Sequence, residues 1–122
     1  MDKSHLGRIG EQLALKYLLN QNHQHITANY HCRFGELDLI TLSPSQILTF
    51  TEVKTRKSTL YGSHSTALTH QKIQKILKSA LTYLQTNHPH QKLSWRIDFI
   101  GIQLDQQDKL KDLSHLKNIL NG

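Results

Sequence analysis

GELDLITLSPSQILTFTEVKTR, residues 35–56, is the stretch on which the fold of this chain turns. GELDLITL and ILTFTEVKT are rich in strand-forming residues, and SPSQ between them carries a proline turn signal. Two such runs joined so closely predict an antiparallel hairpin. Side chains alternate across a strand, so Glu36, Asp38 and Ile40 are expected on one face of the first run. Leu48, Phe50, Glu52, Lys54 and Arg56 are expected on one face of the second. That face starts apolar and ends charged, as a strand does when it begins beneath a core and finishes at a cleft.

The flanking sequence supplies the layers. Leu6, Ile9, Leu13, Ala14, Tyr17 and Leu18 form a helical stripe, with Ser4 as N-cap and Asn20–Asn22 as the end. His25–His31 predicts a strand, followed by a short loop with Cys32, Arg33 and Gly35. KSTLYGSHS (57–65) reads as a loop. Thr69 is expected to cap a long helix whose buried stripe is Ile73, Ile76, Leu77, Ala80, Leu81 and Leu84. NHPHQK breaks it. SWRIDFIGIQL predicts a fourth strand, with Trp95, Ile97 and Phe99 opposite Arg96, Asp98 and Ile100. Leu110, Leu113, Leu116 and Leu120 predict a short terminal helix. Two strands bracketing a long helix need a crossover, while the hairpin is antiparallel, so the sheet should be mixed. The expected fold is α/β, a small mixed central sheet flanked by helices, in one domain over 1–122.

Composition narrows the function. A chain of 122 residues can build one core without staples. A formal charge of +6 and an isoelectric point near 9.6 favour an anionic partner, nucleic acid first and acidic membrane second. Cys32 is the one cysteine, which excludes an internal disulfide and a multi-cysteine zinc site; it is expected to be a half-buried thiol. The N-terminus is not built as a signal peptide, and no apolar run approaches the ~20 residues that span a bilayer. A cytoplasmic protein is expected, with no membrane partner. His23-x-His25 and His88-Pro-His90 lack zinc-ligand spacing and are expected to be polar loop residues.

The acids are rationed. Between Gln12 and Leu104 the only carboxylates are Glu36, Asp38, Glu52 and Asp98, and Glu11 stands just outside. A tight hairpin can bring Asp38 and Glu52 together. At about 5 Å they would repel by roughly 3 kcal/mol at an effective dielectric near 20. Lys54 offsets part of that, and a hard divalent cation such as Mg²⁺ or Mn²⁺ would offset more. Water acidified by such a cation can attack a phosphodiester, with Lys54 holding it or neutralising the developing charge. Spacing alone leaves open a plain Asp–Lys–Glu salt-bridge network on a sheet edge.

R-x-G-E-L-D-L-I (Arg33 to Ile40), F-T-E-V-K-T-R, L-Y-G before a helix with Lys72, R-I-D-F (Arg96 to Phe99) and the opening G-R-I-G-E-Q-L-A together resemble the YraN family of small bacterial proteins. The resemblance covers nearly the whole chain and thins after Leu104. That family is similar to the PD-(D/E)xK superfamily, the restriction endonuclease-like and Holliday junction resolvase-like nucleases. The resemblance implies a nuclease-like core with catalytic residues Asp38, Glu52 and Lys54. Thirteen residues separate the two acids. Glu11 matches the helix glutamate that assists the metal, giving Asp38, Glu52 and Glu11 as implied ligands. Thr51 departs from the apolar residue usual before the glutamate, and His31 from a frequent arginine.

Lys72 falls in the first helical turn, where the dipole disfavours cations, so a phosphate contact is expected there; the alternative is a solvated lysine beside Lys75 and Lys78. Arg33, Arg56 and Lys57 are further candidates for gripping phosphates. Glu36 is expected either to reach a metal through water or to pair with Arg33, and Asp98 to pair structurally with Arg96. DNA is the expected partner, branched or single-stranded, and a homodimer would suit a symmetric junction. Competing readings are a non-catalytic nucleic-acid-binding module of the same fold and a basic protein-interaction domain.

Overall fold

A computed structural model describes residues 4–57 and 68–120. Both predicted N-caps are in place. Ser4 Oγ accepts from the Gly7 N–H at 3.0 Å, starting α1 (His5–Asn20), and Thr69 Oγ1 accepts from the Lys72 N–H at 3.1 Å, starting α2 (His70–Asn87). Each satisfies a backbone donor that the first helical turn leaves unpaired. The strands are β1 (Gln24–Cys32), β2 (Gly35–Leu42), β3 (Leu48–Arg56), β4 (Trp95–Leu104) and β5 (Leu110–Leu116). They lie side by side in chain order. β1, β2 and β3 pair antiparallel, β3 and β4 pair parallel across the α2 crossover, and β5 returns antiparallel to β4. The mixed sheet and the hairpin of residues 35–56 are as expected. The loop expected over 57–65, with its Leu-Tyr-Gly motif, lies outside the described residues apart from Lys57.

The sheet is covered on both faces. Leu37, Ile40, Leu48, Phe50 and Ile97 pack with Ile76, Ala80 and Tyr83 of α2. Leu39, Ile100, Ile102 and Leu104 pack with Ala14 and Leu18 of α1. Burying each of the larger side chains stabilises the fold by roughly 1.5–3 kcal/mol. Phe50 anchors the α2 side, edge-to-face with Tyr83 and Trp95 at 5.8 and 6.1 Å between ring centroids. Thr51 is buried on β3 and its hydroxyl has no partner among the described residues. That environment suits the apolar residue usual at this position in the family it resembles.

The predicted terminal helix is a strand. Leucines three apart fit a helix, but β4 is buried along most of its length and its free edge needs a partner. β5 supplies one through a turn held by Asp105, whose Oδ1 accepts from Gln107 and Lys109 N–H at 2.8 and 3.0 Å. Asp108 takes a left-handed φ of 62° in the same turn. The α2 stripe also shifts: Leu81 is exposed and Tyr83 is buried in its place. On β2 the expected alternation breaks at Asp38, because Leu37 and Ile40 both face α2 while Leu39 faces α1. Asn29 stands opposite Asp38 in the register set by Ala28↔Leu39 and Tyr30↔Leu37, and its left-handed φ of 53° twists the edge there.

Helix α1 approaches β3 closely at Gly10. A Cβ there would overlap Thr55 Oγ1 and come within 2.8 Å of Thr55 Cβ. This absence of a side chain brings the next residue, Glu11, against the charged end of the hairpin. Gly10→Ala gains helix propensity but must push α1 away from β3. A net loss on the order of 1–2 kcal/mol is expected, read as a lower urea midpoint.

Candidate metal centre

Four carboxylates meet where β2 and β3 emerge from the core. One oxygen each from Glu11, Glu36 and Asp38 lies within 4.8 Å of the others. Glu52 stands close enough to Asp38 for the Asp38 charge to raise its carboxyl. Glu11, Asp38 and Glu52 are buried and Glu36 is half-buried. Glu11 comes from α1, Glu36 and Asp38 from β2, and Glu52 from β3, so three elements fix the group. Glu36 and Asp38 are two residues apart on β2, and the close approach of α1 at Gly10 brings Glu11 to both.

Neighbouring donors hold this negative charge. The Val53 N–H donates to Asp38 Oδ2 at 2.8 Å. The Asn29 amide, with its nitrogen toward the acids, donates to Glu11 Oε1 at 3.2 Å and Glu36 Oε1 at 3.1 Å. His31 Nε2 stands 3.3 Å from Glu36 Oε2, so Glu36 pairs there and not with Arg33. Arg33 lies over the Phe34 ring at 4.7 Å. Lys72 Nζ reaches Glu52 Oε2 at 3.0 Å from the first turn of α2. It is a carboxylate partner here, where the sequence suggested a phosphate contact. Lys57 Nζ similarly pairs with Asp108 Oδ1 at 2.9 Å. Arg56 is half-buried. Lys54 is exposed and lines the cleft of about 450 Å³ that also contains Asp38, Glu52, Lys72 and Lys75.

Burial first, and then the Asp38 charge, push the Glu52 carboxyl up from 4.5 to about 7, against the opposing pull of Lys72. Below pH 4.5 Glu52 is protonated whether the chain is folded or not. Between about 4.5 and 7 only the unfolded chain releases the proton, so stability falls as pH rises, by about 3 kcal/mol in all. Glu52→Gln removes this penalty. In EDTA it should raise stability by about 2–3 kcal/mol at pH 8 and leave it nearly unchanged at pH 4.5, as measured by urea unfolding at both values.

All four side chains offer hard oxygen donors, and their mutual repulsion falls when a divalent cation enters. That donor set fits Mg²⁺ or Mn²⁺ and lacks the nitrogen or sulfur ligands that zinc sites favour. Of the three ligands implied by the resemblance, Asp38 and Glu11 lie together with Glu36, and Glu52 stands beside Asp38. Alternation already put Glu36 on the Asp38 side, and what the sequence left open, a cation or Arg33, turns on Glu11 of α1 and His31 of β1, which spacing does not place.

A second polar network lies on the α1 face. Asp98, fully buried, accepts from Arg96 Nε at 3.0 Å, as predicted. It also bonds His115 Nε2 at 2.7 Å and accepts from the Asn118 N–H at 2.9 Å. His115 Nδ1 meets Tyr17 Oη at 2.9 Å. His23, expected to be a solvated loop residue, is buried with Nδ1 2.8 Å from Thr41 Oγ1. His115 escaped sequence reasoning because its partners come from α1 and β4.

Among the described residues no helix is long and apolar enough to cross a membrane. A search of solved structures finds a repair endonuclease from Pyrococcus abyssi at TM-score 0.41 and 15% identity, covering 86% of this chain and 38% of that one. Among curated proteins, a UPF0102 protein of Desulforamulus reducens is 33% identical over 115 residues, 94% of each chain. One from Pelobacter propionicus is 36% identical, covering 96% of this chain and 83% of its own length. One from Caldanaerobacter subterraneus is 34% identical, covering 97% and 96%. The family model for "Uncharacterised protein family UPF0102" matches residues 10–102, which contain all four clustered carboxylates and Lys54. The chain belongs to the UPF0102 family.

Proposed function

We propose that the protein is a metal-dependent nuclease acting on phosphodiesters of DNA, branched or single-stranded. The observation that carries this reading is the convergence of Glu11, Glu36 and Asp38 oxygens within 4.8 Å, with Glu52 beside Asp38. Lys54 lines the adjacent cleft. Asp38, Glu52 and Glu11 would hold the cation, with Glu36 as a fourth carboxylate. A hard divalent cation so held supplies Lewis-acid polarisation of a phosphoryl oxygen and a more acidic attacking water. Asp38 is oriented for this by the Val53 N–H, and Glu36 and Glu11 by the Asn29 amide. Lys54 stabilises charge that accumulates on the phosphorus oxygens in the transition state. Lys72, once parted from Glu52, and Lys75 face the same cleft and are candidates for flanking phosphates, with Arg33 and Arg56.

One observation favours a second reading, a non-catalytic nucleic-acid-binding module: Lys72 already neutralises Glu52 as a cation would. Cleavage assays separate the two. Branched, single-stranded and duplex DNA are incubated with the protein in Mg²⁺, Mn²⁺ or EDTA, and binding is followed against salt. Cleavage that EDTA abolishes is the expected result. Salt-dependent binding without cleavage in either metal would favour the module, and binding indifferent to salt would contradict both, because phosphate contacts release counterions.

A further inference from the structure

The α1 face carries a second cleft of about 190 Å³, lined by Tyr17, His23, Ser45, Arg96, His115 and Lys117. It is separate from the carboxylate cluster and has a different chemistry: here the excess is of donors and positive charge. Arg96 bonds Asp98 through Nε only, so its two Nη groups keep their donors free of protein partners among the described residues. Lys117 has no ion pair among the described residues. His23 uses Nδ1 on Thr41, which leaves Nε2 available. Asp98 is the acid of this network, and its oxygens are already taken by Arg96, His115 and the Asn118 N–H. Asp98 stays ionised and a carboxylate only accepts, so His115 donates from Nε2. Its Nδ1 fixes Tyr17 Oη at the cleft wall.

Burial chiefly, then the Arg96 guanidinium with smaller contributions from His115 and Lys117, lower the proton affinity of His23, with Asp98 opposing. Arg96 and Lys117 therefore act on one small volume. Donors reach it from the α1–β1 connection, the β2–β3 turn, β4 and the residues just after β5. A planar carboxylate would meet donors arriving in a plane, whereas these arrive from several sides. A tetrahedral oxyanion, with oxygens pointing in four directions, suits them better.

We infer that this cleft binds a phosphate group, held by Arg96 and Lys117 with His23 and Ser45 as hydrogen-bonding partners. The inference stands apart from the proposed nuclease activity, because it uses none of the clustered carboxylates. The group would be either free phosphate or a phosphate of nucleic acid.

The test is a titration of the protein with inorganic phosphate at constant ionic strength, followed by the side-chain nitrogen resonances of His23 and His115. Saturable shifts at both are expected, absent with chloride. Lys117→Gln and His23→Gln should each weaken phosphate binding roughly fivefold to tenfold. Lys117 is exposed, so that variant should melt as the wild type does, whereas Asp38→Asn should leave the affinity unchanged. Unmoved resonances, or equal affinity in wild type and Lys117→Gln, would overturn the inference. A parallel titration with a 5′-phosphorylated oligonucleotide distinguishes the sources. Tighter binding than inorganic phosphate, lost in Lys117→Gln, supports a nucleic-acid phosphate; no such gain supports free phosphate.

Discussion

Asp38→Asn should lower Mg²⁺-dependent DNA cleavage at least about 100-fold while leaving the fold intact. Asp38 is where the site's interactions cross. It accepts the Val53 N–H, stands beside Glu52 and lies within the Glu11–Glu36 group. Asparagine keeps the shape and an oxygen for Val53 but removes a charged metal ligand. It also removes the Asp38 charge, which after burial raises the Glu52 carboxyl most, so metal-free stability should rise at pH 8. Lys54→Met should likewise reduce cleavage, by about 10²–10³-fold, since one transition-state donor is lost. Lys54 is exposed, so its loss should cost little stability. Cleavage rates and urea midpoints on the same preparations would show whether activity falls without unfolding.

Asp98→Ala should be the most destabilising single change, at about 3–5 kcal/mol. Its carboxylate joins Arg96 Nε, His115 Nε2 and the Asn118 N–H inside the fold, and its side chain is fully buried. Alanine leaves Arg96 and His115, both largely buried, without their counter-charge. Against a domain stability of about 5–15 kcal/mol that is a large share. Burial pushes the Asp98 carboxyl up, but the His115 bond, the Asn118 N–H and Arg96 together outweigh it and hold it below its ordinary value of 3.8. Its contribution is therefore present above the unfolded value and disappears as pH falls through the folded one. The wild type should lose stability on acidification below about pH 4 more steeply than Asp98→Asn, as measured by urea unfolding at several acidic pH values.

The hairpin of residues 35–56 and both helix caps were legible because their signals are local: alternation, a proline turn, and Ser or Thr before a periodic stripe. The last element was misread for the same kind of reason. Leucines at 110, 113 and 116 fit a helical period, while what makes them a strand is the unpaired edge of β4, over a turn held by Asp105. Leu81 fell outside the buried face because Tyr83 fills the space over Phe50 and Tyr30. At the site, Asp38, Glu52 and Lys54 could be proposed from strand spacing, but Glu11 came only through resemblance, since a helix contact is invisible to spacing. Glu36 stayed open between a cation and Arg33 because its actual neighbours, Glu11 and His31, come from other elements. Asp98, His115 and Tyr17 meet across 98 residues of sequence, and no short-range pattern announces such a contact.

The central claim is that the carboxylates of α1, β2 and β3 form a divalent-cation site. Anomalous diffraction from a crystal soaked in Mn²⁺ tests it most directly. The expected result is a manganese peak in contact with Asp38 and with at least one of Glu11, Glu36 and Glu52, accompanied by Lys72 withdrawing from Glu52 and absent in Asp38→Asn crystals. A fully exchanged crystal with no peak at Asp38, and Lys72 still on Glu52, would contradict it.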